Sequence, residues 1–372
     1  MSFTDVIAQN SIKQMLLSAS KAKRIPHALL FTGPSGIGKL AMAVSYARYL
    51  LCSHPLDDDA CGTCPSCKRL SAFSHPDLHF SFPIVKKGNA DTCEDYLKEW
   101  YDMLKSTLYF STDDWLEKMG ADNQQLLIPE KEADRIIDIM SLTSYEGKYK
   151  IMIIWLPELM NADASNNLLK LLEEPTPDSI FILVSNDATR LLPTIVSRTQ
   201  SLYFRPLSIS DTSEVLMNRM SLEPDVAMRI ARIAGGSYLK ALKQLTAGGT
   251  DTLFFEYFTR FMRLAFSRDL PSIKIWSDEV ASWGREKTKA FIDYSLNMIR
   301  ESFVYNFHRK ELNFLDEQES SFVEKFCKFV NERNVIQLSE SYSRALKDIS
   351  QNANARTVLF TLALETIILI RK

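Results

Sequence analysis

Net charge, long apolar runs and repetition are all scarce in this chain of 372 residues. Acidic and basic side chains nearly balance, and the formal net charge of −2 gives no free-standing electrostatic attraction to DNA or to an anionic membrane. Partners must therefore be sought in particular sites. The most apolar stretch, residues 357–370, is broken by Glu365 and falls short of the roughly 20 residues that span a bilayer. No membrane partner is expected. The first six residues hold no basic segment leading into an apolar core, so no export signal is expected and a cytoplasmic setting follows. Internal repeats, low-complexity tracts and heptad runs are missing too. The length suits two or three domains, each burying its own core.

Two further absences are local and chemical. Residues 27–39 read as a short apolar strand turning into a glycine-rich loop, with Gly33, Gly36 and Gly38 ahead of Lys39. Such a loop points consecutive backbone N–H groups at phosphate oxygens, the lysine adds a point charge, and the following helix offers its positive end. Position 40, where the motif carries a hydroxyl for magnesium, is Leu40. The second absence follows the apolar strand 151–154, which runs on into Trp155, Leu156 and Pro157 without the acid that positions the metal in hydrolysing P-loop proteins. Glu158, the nearest carboxylate, stands three or four places too late to replace it directly. The loop can hold phosphate. Hydrolysis is not expected, because charge stabilisation by the metal is central to phosphoryl transfer.

Four of the six cysteines crowd into one stretch: Cys52, Cys61, Cys64 and Cys67. In a cytoplasmic chain, two consecutive two-residue spacings favour a tetrahedral thiolate zinc site over disulfides, since short turns direct several sulfurs at one ion. Four thiolates leave no open coordination position, so a structural Zn2+ is expected. Cys93 and Cys327 stand apart and read as packed thiols.

Periodicity orders the rest. Ile12, Met15, Leu16 and Ala19 recur at helical spacing within 11–23, and further helices are predicted over 41–51, 130–143 and 163–174. The last of these has an apolar face of Leu168, Leu169, Leu171 and Leu172 and is ended by Pro175. Glu173 and Glu174 sit in its final turn, where the helix dipole disfavours anions, so either solvent or a cation must compensate them. Strands are predicted over 148–154 and 179–184, and the alternation of strands and helices indicates a parallel sheet covered on both faces. Between 80 and 130, Trp100, Tyr101, Tyr109, Phe110 and Trp115 lie among acids and lysines, which suggests two short inserted helices. Such aromatic clusters are usually local core, with a docking surface as the sharper alternative. Beyond Ser210 the pattern is wholly helical, with breaks at Pro224 and Gly235-Gly236 and a linker at Ala247-Gly248-Gly249.

Together these motifs resemble the AAA+ subunits of the bacterial DNA polymerase III clamp loader, most closely the delta-prime family. The match is carried by Asp5-Val6-Ile7-Ala8-Gln9, the loop 33–39, the four-cysteine module, His75-Pro76-Asp77, residues 167–175 and residues 192–198. The last stretch looks like the family's Ser-Arg-Cys motif, with Thr199 in place of Cys. Residues 352–356 resemble the end of the family's collar domain. The resemblance implies an α/β AAA+ P-loop domain over 1–207, with a zinc module at about 52–67 and an insertion at about 80–130 that is longer than the family usually has. It further implies a helical lid over 208–246 and an all-α collar and oligomerisation domain over 250–372.

The same resemblance assigns roles. Leu239 stands where an active subunit would place a phosphate-sensing Arg, and Asn186 is a candidate sensor. With Leu40, Trp155 and Leu156 also apolar, ATP and Mg2+ are expected to bind poorly or not at all. Ser197-Arg198 survives. The implied role is an ATPase-inactive stator that lends Arg198 as an arginine finger to a neighbour's site. Its implied setting is a hetero-oligomeric ring with motor ATPase and clamp-opening subunits, acting through the assembly on a sliding clamp and primed DNA. Two rival readings stand beside it. One is an active motor subunit in which Glu158 serves magnesium or water, and the other is a zinc-stabilised DNA-binding protein using Lys68 and Arg69.

Overall fold

Runs of aliphatic side chains that are buried at every position fit only a sheet with helices on both faces. The computed structural model describes residues 2–86, 91–121, 124–146, 148–246, 250–308, 313, 315, 317–351 and 353–371. In it, β1 (Ala28–Thr32), β3 (Lys150–Trp155) and β4 (Ser179–Val184) are buried along their whole length. With β2 (Leu78–Ser81) and β5 (Gln200–Tyr203) they form one parallel sheet in the order β2-β3-β4-β1-β5. Strand β1 thus lies between β4 and β5, paired Ala28 with Phe181 and Leu29 with Gln200.

The covering helices are α1 (Asn10–Lys21), α2 (Lys39–Leu51), α3 (Pro65–Ser71), α4 (Leu97–Ser106), α5 (Thr112–Lys118), α6 (Glu130–Ser141), α7 (Ala162–Glu173) and α8 (Pro193–Ser197). Most of them fall where the spacing predicts them, and α3, within the cysteine stretch, is an addition. Helix α2 is buried throughout, including Lys39 and Arg48. Helices α6 and α7 cover the sheet together through Ile136, Met140, Leu168 and Leu172, while Leu169 and Leu171 are half-buried at the margin. Asn161 caps α7, its side-chain oxygen accepting the Ala164 N–H at 2.8 Å. Strand β5 has no counterpart among the predicted strands: in Gln-Ser-Leu-Tyr only Leu202 is buried, so an edge strand carries no apolar signature.

Two compact units result, Met1–Gln244 and Leu245–Lys372. The first also contains α9 (Ile209–Met220), α10 (Pro224–Ile233) and the start of α11 (Tyr238–Thr246). The second is helical among the described residues: α12 (Thr250–Ser267), α13 (Leu270–Ala281), α14 (Arg285–Tyr305), α15 (Glu317–Phe326), α16 (Val335–Ser350) and α17 (Ala355–Leu369). Its core is built on aromatic packing, with Phe261 stacked on Trp276 at 4.2 Å. Asn354 caps α17, accepting the N–H groups of Arg356 and Thr357. Among the described residues no helix is long and apolar enough to cross a membrane. The linker Ala247-Gly248-Gly249 and Asn352 lie outside the described residues.

The aromatic insertion is core. Trp100 and Trp115 are fully buried, Phe82 stacks on Trp100 at 4.2 Å, and the Trp115 indole donates to the Pro83 carbonyl at 2.8 Å. Its start is anchored by buried Glu132, which accepts the Cys93 N–H at 2.9 Å and pairs with Arg135 at 2.6 Å. Truncating so large a buried ring leaves a cavity. We expect Trp100→Ala to destabilise the first unit by about 3–5 kcal/mol in denaturant unfolding; a change below about 1 kcal/mol would mean that the cluster is not structural.

Candidate nucleotide pocket and thiolate cluster

The glycine-rich loop joins β1 to α2, and its conformation explains its residues. Gly38 caps α2 with φ of +95°, and a Cβ there would lie 2.9 Å from the Tyr109 hydroxyl. Gly36, at φ of +79°, lies so close to the turn before α11 that a Cβ would sit 2.3 Å from Ser237 Oγ. Lys39 is only 4% exposed, and its ammonium turns back on the loop, donating to the carbonyls of Gly33 at 2.7 Å and of Pro34. Burial depresses its pKa to about 8, with nearby Glu158 opposing the shift.

The positions at which a hydrolysing P-loop protein handles its metal are here apolar and buried: Leu40, Trp155 and Leu156. Trp155 packs against Phe110 at 5.1 Å and Trp100 at 5.4 Å, so the end of β3 is a docking point for rings. The pocket at the loop is a space of about 50 Å³ whose walls include Gly36, Lys39, Leu40, Tyr109, Phe110, Trp155 and Asn186. That volume suits a water or two, whereas ligand pockets run to roughly 300–1,000 Å³. These residues do not fit a magnesium nucleotide. Asn186 does reach the pocket, and its N–H donates to Glu158 Oε1 at 2.8 Å. Glu158 reaches Asn186 from a 3-10 turn, Pro157–Leu159, that follows β3. Sequence reasoning missed Tyr109 and Phe110 as pocket residues, because nothing in their spacing links them to the loop.

Arg198 lies away from these walls, at the C-terminal end of α8. Its guanidinium pairs with Glu173 Oε1 at 2.6 Å and donates to the Thr194 carbonyl at 3.1 Å. Of the two ways to compensate the last turn of α7, solvent or a cation, Glu173 thus has the cation. His75-Pro76-Asp77 has a structural role. Buried Asp77 accepts the N–H groups of Tyr145 at 2.5 Å and Glu146 at 2.8 Å, tying the start of β2 to the loop before β3.

The four cysteines converge between α2 and α3, all sulfurs lying within 4.8 Å of one another. Individual separations are 3.5 Å for Cys52–Cys61, 3.9 Å for Cys52–Cys64 and 4.0 Å for Cys61–Cys67. A tetrahedral ion with sulfur arms of about 2.3 Å has an edge of about 3.8 Å, so the quartet fits zinc. The backbone N–H groups of Cys61, Cys64 and Cys67 point at the sulfurs of Cys52, Cys61 and Cys64 at 3.3–3.4 Å. The Cys64 N–H is the main reason that the Cys61 thiol is drawn down to about 6, whereas burial pushes Cys52 up to about 12. Arg69, on α3 beside the cluster, is paired with Glu146.

A family model described as DNA polymerase III, delta subunit, matches residues 8–208. The chain is similar to the DNA polymerase III subunit delta' of Bacillus subtilis (strain 168), with 29% identity over 225 residues that cover 60% of this chain and 54% of that protein. It is 32% identical over 218 residues to the same subunit of Pseudomonas aeruginosa, covering 58% of this chain and 54% of that one. The chain thus spans about half the length of these curated relatives. Among solved structures, the Thermotoga maritima RuvB Holliday junction branch migration motor aligns over 65% of this chain and 61% of its own, at a TM-score of 0.38 and 15% identity.

The buried amine makes a pH prediction. Lys39 titrates near 10.5 when unfolded and near 8 when folded, so between those values the unfolded chain binds the extra proton. Stability therefore rises with pH from about 8 toward 10.5 relative to a variant without the amine, by on the order of 3 kcal/mol. Lys39→Met should abolish that rise, read as the difference between the two proteins' urea midpoints across this range; a pH-independent difference would refute it.

Proposed function

The chain belongs to the DNA polymerase III delta-subunit family as a delta-prime-like clamp-loader subunit, and from that premise we propose that it is the member that does not hydrolyse ATP. One observation carries this reading. The P-loop frame is kept, yet Leu40, Trp155 and Leu156 are buried and apolar while the Lys39 ammonium is held by the loop's own carbonyls. A phosphoryl transfer without a placed metal loses its main charge stabilisation. In this reading the chain acts in DNA replication, in the cytoplasm, within a hetero-oligomeric ring containing motor ATPase and clamp-opening subunits. Through that assembly it meets the sliding clamp and primed DNA. Helices α9–α11 act as a lid, residues 250–372 as a collar, and Asn186 keeps the place of a sensor.

Arg198 is the proposed arginine finger for the neighbouring ATPase site. Its pair with Glu173 is half-exposed on both sides, and such pairs contribute roughly 0–1 kcal/mol. The guanidinium is thus pre-positioned yet easily yielded to a more highly charged phosphoryl group. Zn2+ is the proposed structural ion, held by Cys52, Cys61, Cys64 and Cys67. When bound it supplies a four-way cross-link, and the three N–H···S bonds of the module steady the thiolates.

A second reading rests on Glu158, whose carboxylate lies close enough to Lys39 to offset part of the burial that lowers the lysine's pKa. If Glu158 served magnesium, the purified chain would hydrolyse ATP and Lys39→Ala would abolish it. We expect no turnover. In a reconstituted loader, Arg198→Ala should leave the melting temperature of the chain unchanged and lower DNA-stimulated turnover at the adjoining site by roughly tenfold or more; undiminished turnover would rule the finger out. Metal analysis should find about one zinc per chain, and Cys64→Ser should lose it together with several kcal/mol of stability. A folded, zinc-free wild-type chain would contradict the assignment.

A further inference from the structure

The pocket at the phosphate-binding loop is filled from within the chain. Tyr109 and Phe110 leave the turn between α4 and α5 and enter the space beside Gly38 and Lys39. Tyr109 touches three segments that are remote in sequence. Its ring lies against Gly38, its hydroxyl accepts the Ile7 N–H at 3.2 Å, and it meets the Tyr238 ring edge-on at 5.1 Å. Behind it, Phe110 packs on Trp155, at the end of the strand where a hydrolysing P-loop protein carries its metal-positioning acid.

Helix α11 fastens the same segment from outside. Lys243 donates to Ser111 Oγ at 2.8 Å and pairs with Asp114 at 3.2 Å. On the other flank of the loop, the Leu239 N–H donates to the Gly36 carbonyl at 3.3 Å and Ser237 Oγ to the Ser35 carbonyl at 3.0 Å. Leu239 itself is buried against Gly36. The loop, the insertion and α11 therefore form one continuous contact.

We propose that residues 108–112 are an intramolecular ligand of this pocket, a wedge that holds α9–α11 against the α/β core in the place of nucleotide. The proposal rests on the reading of the chain as the non-hydrolysing subunit, and it identifies what the insertion does there. A free nucleotide that bridged loop and lid would set the lid's position according to its own concentration. A tethered segment competes at the high effective concentration of an intramolecular group, so the lid position becomes independent of ATP. Residues 80–130 thereby acquire a role beyond packing. They convert a ligand-responsive joint into a fixed one.

The test is a titration of the full chain with ATP, with and without Mg2+, beside the double variant Tyr109→Ala/Phe110→Ala. Withdrawing the wedge should raise ATP affinity by about tenfold or more, and Lys39→Ala added to the double variant should cancel the gain. Equal affinities in wild type and variant, measurable or not, overturn the proposal. Lys243→Ala removes a half-exposed side chain, leaves the aromatic core in place and gives an independent reading by hydrogen exchange. Amides of 108–112 and 238–244 should exchange about tenfold faster or more, with β1 and β4 unchanged. Unchanged exchange there also overturns the wedge. ATP turnover in any of these proteins would count against the non-hydrolysing reading, while the affinity comparison still decides the wedge.

Discussion

A buried ammonium must find acceptors, and at this site everything follows from which ones Lys39 finds. An uncompensated charge taken out of water costs several kcal/mol or more, so the carbonyls of Gly33 and Pro34 that receive Lys39 are part of the loop's stability. The side chain that elsewhere would reach for phosphate serves here as an internal brace. Its neighbours agree with that use. Leu40 and Trp155 supply apolar walls, and Phe110 closes against Trp155. Substitutions that look like losses in a nucleotide site are gains for a packed one.

The same logic extends outward. Trp155 gives the rings of Trp100 and Phe110 a surface to pack on, which connects the insertion to the end of β3. Tyr109 then joins the loop to Ile7 and to Tyr238. Contacts of this kind are apolar with a few placed hydrogen bonds, and they hold without any ligand. Arg198 stands in contrast. It sits on an exposed helix end with one surface carboxylate as partner, an arrangement that is cheap to break. A rigid pocket and a releasable arginine are what the proposed role of a stator lending a finger would require.

Much of this is legible in the chain. The two-sided burial of β1, β3 and β4 follows from their unbroken aliphatic runs, and α7 follows from its leucine spacing, with Pro175 just beyond it. The four-cysteine spacing anticipates that the sulfurs meet. Glu173, conspicuous only because an anion is unfavourable at a helix end, indeed has its cation in Arg198. Strand β5 escapes because an edge strand with a single buried residue has no period to read.

Neighbours along the chain therefore set the local frame: which segments are strands, where the glycine loop turns into α2, which cysteines share a knuckle, and which metal-handling positions are apolar. Periodicity, caps and short spacings act at that range, so the amino-acid order alone is enough to read them. The assembled fold was needed to learn that Tyr109 fills the space beside Gly38, that Glu158 reaches Asn186, and that α11 rests on the loop through Ser237 and Leu239. The longest of these contacts join residues more than two hundred positions apart. No spacing rule reaches so far, because packing between remote segments is settled by shape and burial after the elements have formed.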